Sequence, residues 1–242
     1  KSLNSEGGEG HEEENVVCSV DNIERKVLVQ AVSESVTPKL VGVDTQLFES
    51  LLQSVFVGAD STSDDDSVFS EVLQIAVHGQ GLACSPLWMS KVQQLRQVLQ
   101  TRHGVMLVGS SGTGKSTAWR VLLNALERME GGGHTGDAYV IDPKAMSKEQ
   151  LYGYLDNNTL EWQDGIFTHL VRKLGALEDA YASDTRGESR KPRRSWIVFD
   201  GDVDPEWAEN LNSVLDDNKI LTLPSGDRLK IPTCMRILIE VD

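Results

Sequence analysis

Eight consecutive residues carry the densest chemistry in this chain: Gly109, Ser110, Ser111, Gly112, Thr113, Gly114, Lys115 and Ser116. The spacing is that of a phosphate-binding loop, Gly-x-x-x-x-Gly-Lys-Ser, in which glycines let backbone N–H groups close around phosphate oxygens. Lys115 would reach the β and γ phosphates, and the Ser116 hydroxyl would ligate Mg²⁺. An apolar run, Val105-Met106-Leu107-Val108, precedes the loop, and a helix-compatible stretch from Ser116 to Met129 follows it. That order puts the anion against the N-terminal amides and dipole of a helix. A nucleoside triphosphate with Mg²⁺ is the expected ligand.

Asp200 is the second position of interest. It ends the apolar run Trp196-Ile197-Val198-Phe199, as the carboxylate that holds Mg²⁺ does in P-loop NTPases. In hydrolytic relatives with additional strands a Glu usually follows that Asp and polarises the attacking water. Here Gly201 follows, and glycine supplies no base. Asp202 or Asp204 could substitute only by reaching the water at about 2.6–3.2 Å, so the spacing predicts nucleotide binding with weak hydrolysis and assigns no catalytic residue.

Composition narrows the remaining possibilities. The chain has 242 residues, 39% hydrophobic, with no apolar run near the ~18 residues that would span a membrane. A net charge of −14 argues against nucleic acid as partner, because phosphate neutralisation needs clustered Lys and Arg. The one basic run, Arg190-Lys191-Pro192-Arg193-Arg194, reads as a solvated loop. Cys18, Cys84 and Cys234 are odd in number and lack zinc spacing, so reduced thiols are expected.

Patterning supplies the frame that would position the site. Residues 1–21, rich in Glu and Gly at their start, are expected to form a disordered acidic linker. Residues 22–101 read as a helical lead-in. Asp21 would cap a helix carrying Ile23, Val27, Ala31 and Val32. Asp44 would cap a second, with a stripe of Leu47, Phe48, Leu51, Leu52, Val55 and Phe56. Asp60 to Asp66 reads as an acidic loop. Pro86 opens a helix to about Gln100 that points Leu87, Val92, Leu95 and Leu99 inward. From 102 to 242 strands alternate with helices: strands at 138–142, 196–200 and 235–241, helices at 165–182 and 206–215, and a hairpin over 219–231. The predicted class is α/β, a P-loop NTPase with a parallel sheet and helices on both faces, whose ligands lie beyond the strand carboxyl ends.

Longer runs add a resemblance. Ile141-Asp-Pro-Lys-Ala-Met-Ser-Lys-Glu-Gln-Leu-Tyr-Gly153, Leu155-Asp-Asn-Asn-Thr-Leu-Glu-Trp-Gln-Asp-Gly165, Trp196-Ile-Val-Phe-Asp-Gly-Asp-Val-Asp-Pro-Glu-Trp207 and the stretch from Glu209 to Arg228 are similar to the dynein heavy chain family. The likeness is best to the second AAA+ module of the motor ring, and to cytoplasmic rather than axonemal forms. It covers about residues 23–242. What the resemblance implies is an AAA+ fold and a Mg-ATP site that holds nucleotide without ready turnover. It also implies that Leu40 and Val41 sandwich the adenine, and that hairpins near Leu155–Asp164 and Asp217–Ile231 contact the mechanical linker. Asp242 would fall at the sensor position. The helical lid and the arginine finger are expected beyond Asp242. The partners implied are the neighbouring AAA+ modules and linker of the same heavy chain, and microtubules, intermediate chains and light chains through the full motor. The setting implied is the cytoplasm and its microtubule cytoskeleton, with no nucleic acid and no membrane.

Overall fold

The computed structural model describes residues 23–33, 35–56, 64–83, 85–130, 136–183 and 193–242. The acidic linker, the Asp21 cap, Cys18, Cys84 and most of the basic run fall outside them. Two compact units divide the chain at Glu71/Val72.

In the first unit, α1 (residues 23–33) buries Val29, not the expected Ile23 or Val27, which are exposed. A 3-10 turn, Thr37–Lys39, precedes α2 (Val43–Val55). The cap of α2 is Gly42 at φ +59, which places Asp44 in the first turn instead; a carboxylate there opposes the positive end of the helix dipole. The predicted stripe is present but buries nothing in α2: Leu47, Leu51 and Val55 are exposed. Periodicity identified an apolar face here, and such a face need not lie in this chain's own core. The expected acidic loop overlaps α3 (Asp64–Gly79), and its residues 60–63 lie outside the described residues.

The second unit holds a four-stranded parallel sheet ordered β1-β8-β5-β2, from β1 (Gly104–Val108), β2 (Asp137–Ile141), β5 (Ser195–Asp200) and β8 (Met235–Val241). Alternation along β5 and β8 sorts their side chains between two layers. Ile197, Phe199, Met235, Ile237 and Ile239 face α7 (Ile166–Ser183), where Phe167 stands between Tyr152 and Phe199. Full burial of a side chain such as Phe167 contributes about 1.5–3 kcal/mol. The opposite face of the sheet carries Trp196, Leu238 and Glu240 toward α5 (Lys115–Met129), whose Trp119 packs against Trp196.

α4 (Pro86–Thr101) buries Met89, Val92, Leu95, Arg96 and Leu99. Leu87, expected inward, is exposed, because at about 100° per residue it lies across the helix from Met89. The expected helix over 206–215 is broken into α8 (Pro205–Ala208), a 3-10 turn and α9 (Asn212–Leu215). Two hairpins extend from the core: β3–β4 (Gly153–Leu155, Trp162–Asp164), which follows α6 (Lys148–Tyr152), and β6–β7 (Ile220–Thr222, Arg228–Lys230). Arg172 ties them together, its Nε 3.0 Å from Asp164 and its Nη2 2.9 Å from Asp227. No described helix is long and apolar enough to cross a membrane.

Candidate functional site

β1 delivers the chain to Gly109, and α5 begins at Lys115. Between them Gly112 and Gly114 have φ of +83° and +88°, the left-handed region where a Cβ is strained. At Gly114 a second constraint applies, since an added Cβ would sit 3.0 Å from the Trp88 indole nitrogen. Local conformation and tertiary packing both require glycine there. The N-terminus of the 15-residue α5 then presents its unpaired amides to the loop.

A cavity of about 600 Å³ opens over this loop. Ser111 to Thr117 line one side, and Asp142, Lys144, Asp200, Gly201, Asp202, Glu240 and Asp242 line the other. Sequence reasoning picked out Asp200, Asp202 and the loop, and the fold brings them together across β1, β8 and β5. Leu40 and Val41 belong to the first unit, Leu40 half-buried and Val41 exposed.

Lys115 Nζ donates to the carbonyls of Gly109 and Ser110 and, at 2.5 Å, to the Asp242 carboxylate. A triphosphate would compete with Asp242 for that ammonium. Ser116 Oγ donates to Glu240 Oε2 at 2.6 Å, and the Trp119 indole N–H donates to Oε1 of the same carboxylate. Glu240 is only 4% exposed. Sequence reasoning missed it, as it missed Asp142 and Lys144, although for Glu240 the signal was present: a lone acid inside the apolar run Ile237-Leu238-Ile239-Glu240-Val241. Buried acids persist when polar groups satisfy them, and here two donors on α5 do so.

The cavity fits the groups implied. The glycine cradle, Lys115 and the helix amides suit phosphate oxygens. The Ser116 hydroxyl and Asp200 carboxylate are hard oxygen donors of the kind that Mg²⁺ takes alongside phosphates. Asp200 lies opposite Glu240 in the β5–β8 register.

The ground beyond Asp200 is less suited to activating water. Gly201 has φ +147. Asp202 is held by Lys144 at 2.6 Å, and that hydrogen bond, with the lysine charge, lowers its pKa. A lowered pKa makes a weaker base. Asp204 caps α8, accepting from the Glu206 N–H at 2.9 Å.

Comparison with known proteins gives the family. The family described as "AAA domain (dynein-related subfamily)" matches residues 104–240. That described as "Hydrolytic ATP binding site of dynein motor region" matches residues 15–116. Cytoplasmic dynein heavy chains are similar: 51% identity over 224 residues in Drosophila melanogaster, covering 90% of this chain. The Paramecium tetraurelia protein is 48% identical over 92% of this chain, and the Dictyostelium discoideum protein 45% over 89%. The chain spans only about 5% of the Drosophila and Paramecium proteins and 4% of the Dictyostelium one.

Proposed function

The chain belongs to the dynein-related subfamily of AAA domains, within the dynein heavy chains, and from that premise we propose that it is the second AAA+ module of a cytoplasmic motor ring, holding Mg-ATP at a site that regulates rather than hydrolyses. Residues 22–101 would be its helical lead-in and 102–242 its core. Residues Gly109 to Ser116 would bind the triphosphate, Ser116 and Asp200 the metal, and Leu40 and Val41 the adenine. Bound Mg²⁺ would supply neutralisation of phosphate charge and a fixed orientation for its oxygens.

One observation carries the non-hydrolytic reading: the backbone after Asp200 is a glycine at φ +147. The position that would hold the base has no side chain and a conformation hostile to one. Asp202, the alternative base, is engaged by Lys144. Bound ATP would then act as a structural ligand, adding about 2.7 kcal/mol to the bound state at 100 times Kd. The other parts of the heavy chain, the linker touching the β3–β4 and β6–β7 hairpins, microtubules, and the intermediate and light chains are the proposed partners, in the cytoplasm.

A second reading, a working ATPase with Asp202 as base, draws support from the match to the family described as hydrolytic. That match stops at Ser116, short of every carboxylate that would decide hydrolysis. Recovering nucleotide from this site in the intact heavy chain after incubation with Mg-ATP separates the two. Retained ATP is expected. ADP formed at motor speed, and lost on Asp202→Ala, would replace the first reading by the second.

A further inference from the structure

Five of the described residues that line the nucleotide cavity are carboxylates. Four of them have evident tasks. Asp142 caps the turn after β2, accepting from the Lys144 N–H at 3.0 Å, and Asp202 holds the Lys144 ammonium. Glu240 accepts from Ser116 and Trp119, and Asp200 is the proposed metal ligand. Asp242 is left, and its partner is the lysine of the phosphate loop, 2.5 Å away.

Strand register explains the contact. Val241 pairs with Val108, and its carbonyl accepts from the Gly109 N–H at 3.1 Å, so the next residue stands against the start of the loop. Asp242 is two residues past Glu240, and alternation sends both toward α5. Glu240 meets Ser116 there, and Asp242 meets Lys115. The lysine side chain is 14% exposed and the aspartate 63%. An enclosed cation is thus held by a solvent-facing anion. Removing that carboxylate changes the charge beside Lys115 and opens no cavity in the core.

We propose that Asp242 is a specificity-determining residue of this site, an internal anion that competes with the third phosphate of a nucleotide for Lys115 and so narrows the preference for triphosphate over diphosphate. The proposal rests on the nucleotide reading of the cavity. In such loops the backbone amides cradle the α and β phosphates, while the lysine reaches the β and γ phosphates. The amides stay available to a diphosphate whichever partner Lys115 holds. A triphosphate brings its terminal charge to an ammonium that already has an anion beside it. Like charges at that range repel, by an amount that solvent screens where one of them is exposed. A looser hold on triphosphate keeps occupancy responsive to nucleotide concentration, which is what regulation by occupancy requires.

Amide hydrogen exchange reads this site alone, because the peptide covering residues 109–118 is identified by mass in a digest of the intact heavy chain. Its protection is titrated with Mg-ADP and with Mg-AMP-PNP, a triphosphate that is not cleaved, so the result does not depend on hydrolysis. Asp242→Ala is expected to lower the AMP-PNP midpoint about tenfold and the ADP midpoint less than about threefold. Alanine is chosen over asparagine because an amide could itself donate to phosphate. Asp242→Glu keeps the charge and should hold both midpoints within about twofold of the unsubstituted protein. An AMP-PNP midpoint unchanged or raised in Asp242→Ala, an equal shift for the two nucleotides, or the same shift in Asp242→Glu would overturn the proposal and leave the nucleotide reading standing. A peptide that neither nucleotide protects in the unsubstituted protein would refute that reading and the proposal with it.

Discussion

Replacing Gly201 by Glu tests the proposal that this site lacks the base needed to hydrolyse ATP. A well-placed general base contributes roughly 10²–10⁴ in rate, about 2.7–5.5 kcal/mol of barrier. The backbone sets against this a φ of +147, where a non-glycine residue costs about 1–3 kcal/mol. Space is no obstacle, since an added Cβ meets nothing nearer than Asp142 Oδ1 at 3.7 Å. The strain is relieved only by rotating the peptide, and rotation carries the new carboxylate out of line with the water. The strain is therefore subtracted from the catalytic gain. Middle values of about 4 and about 2 kcal/mol leave about 2, or roughly thirtyfold faster cleavage. The assay follows labelled ATP trapped in the intact heavy chain, with the Lys115→Ala protein subtracted so that only this site is counted. Gly201→Ala carries the strain without the base and should retain ATP uncleaved. If Gly201→Glu still holds ATP and cleaves it no faster than Gly201, the missing-base argument is refuted.

Lys144→Met removes the hydrogen bond that lowers the Asp202 pKa, returning that carboxylate toward the ordinary range. ATP cleavage at the site should stay unchanged; a rise whose pH profile follows one carboxylate would favour Asp202 as base. The pair itself should form above the ordinary carboxylate pKa and be lost as pH falls through the lowered value of Asp202, which NMR of the Lys144 ammonium would follow. Glu240→Gln keeps an acceptor for Trp119 but turns an amide N–H₂ toward Ser116. The Mg²⁺ concentration for half-maximal nucleotide retention should rise about 10–100-fold, the usual effect of losing a group that orients a metal ligand, while nucleotide binding without Mg²⁺ is not reduced. An unchanged Mg²⁺ requirement would show that Glu240 does not position Ser116.

The phosphate loop was legible because its demands are local. Gly112 and Gly114 meet backbone angles that few other residues adopt, and Lys115 and Ser116 sit at fixed offsets from them. The β3–β4 hairpin was different: it was implied by the resemblance, and the structure closes it at Asp156, whose side chain accepts from the Asn158 N–H at 2.7 Å. The parallel sheet could be read from apolar runs that lie between helical stretches. What escaped was whatever depended on the order of strands. Glu240 gained meaning, and Asp242, expected at the sensor position, gained its partner Lys115, only when β8 was inserted between β1 and β5. Lys144 and Asp202, 58 residues apart, meet for the same reason.

Strand order also joins the two ends of the domain. Arg236, Leu238, Glu240 and Asp242 alternate onto the α4–α5 side of β8, so one strand lines a recess beside Arg96 and Arg194 at its start and the phosphate loop at its finish. Ser116 holds Glu240 of that strand, and Lys115 holds Asp242, the residue next after it. Nucleotide phosphates that drew Lys115 from Asp242 would therefore act at the end of β8, one of the two strands with a neighbour on each side. A strand packed in this way transmits displacement better than an edge strand, because its hydrogen bonds to β1 and β5 and its packing against the layers on both faces leave few ways to absorb it. On the proposed reading, a nucleotide held without being cleaved would have a physical route to the rest of the domain, through the two carboxylates at the carboxyl end of β8 that Lys115 and Ser116 hold.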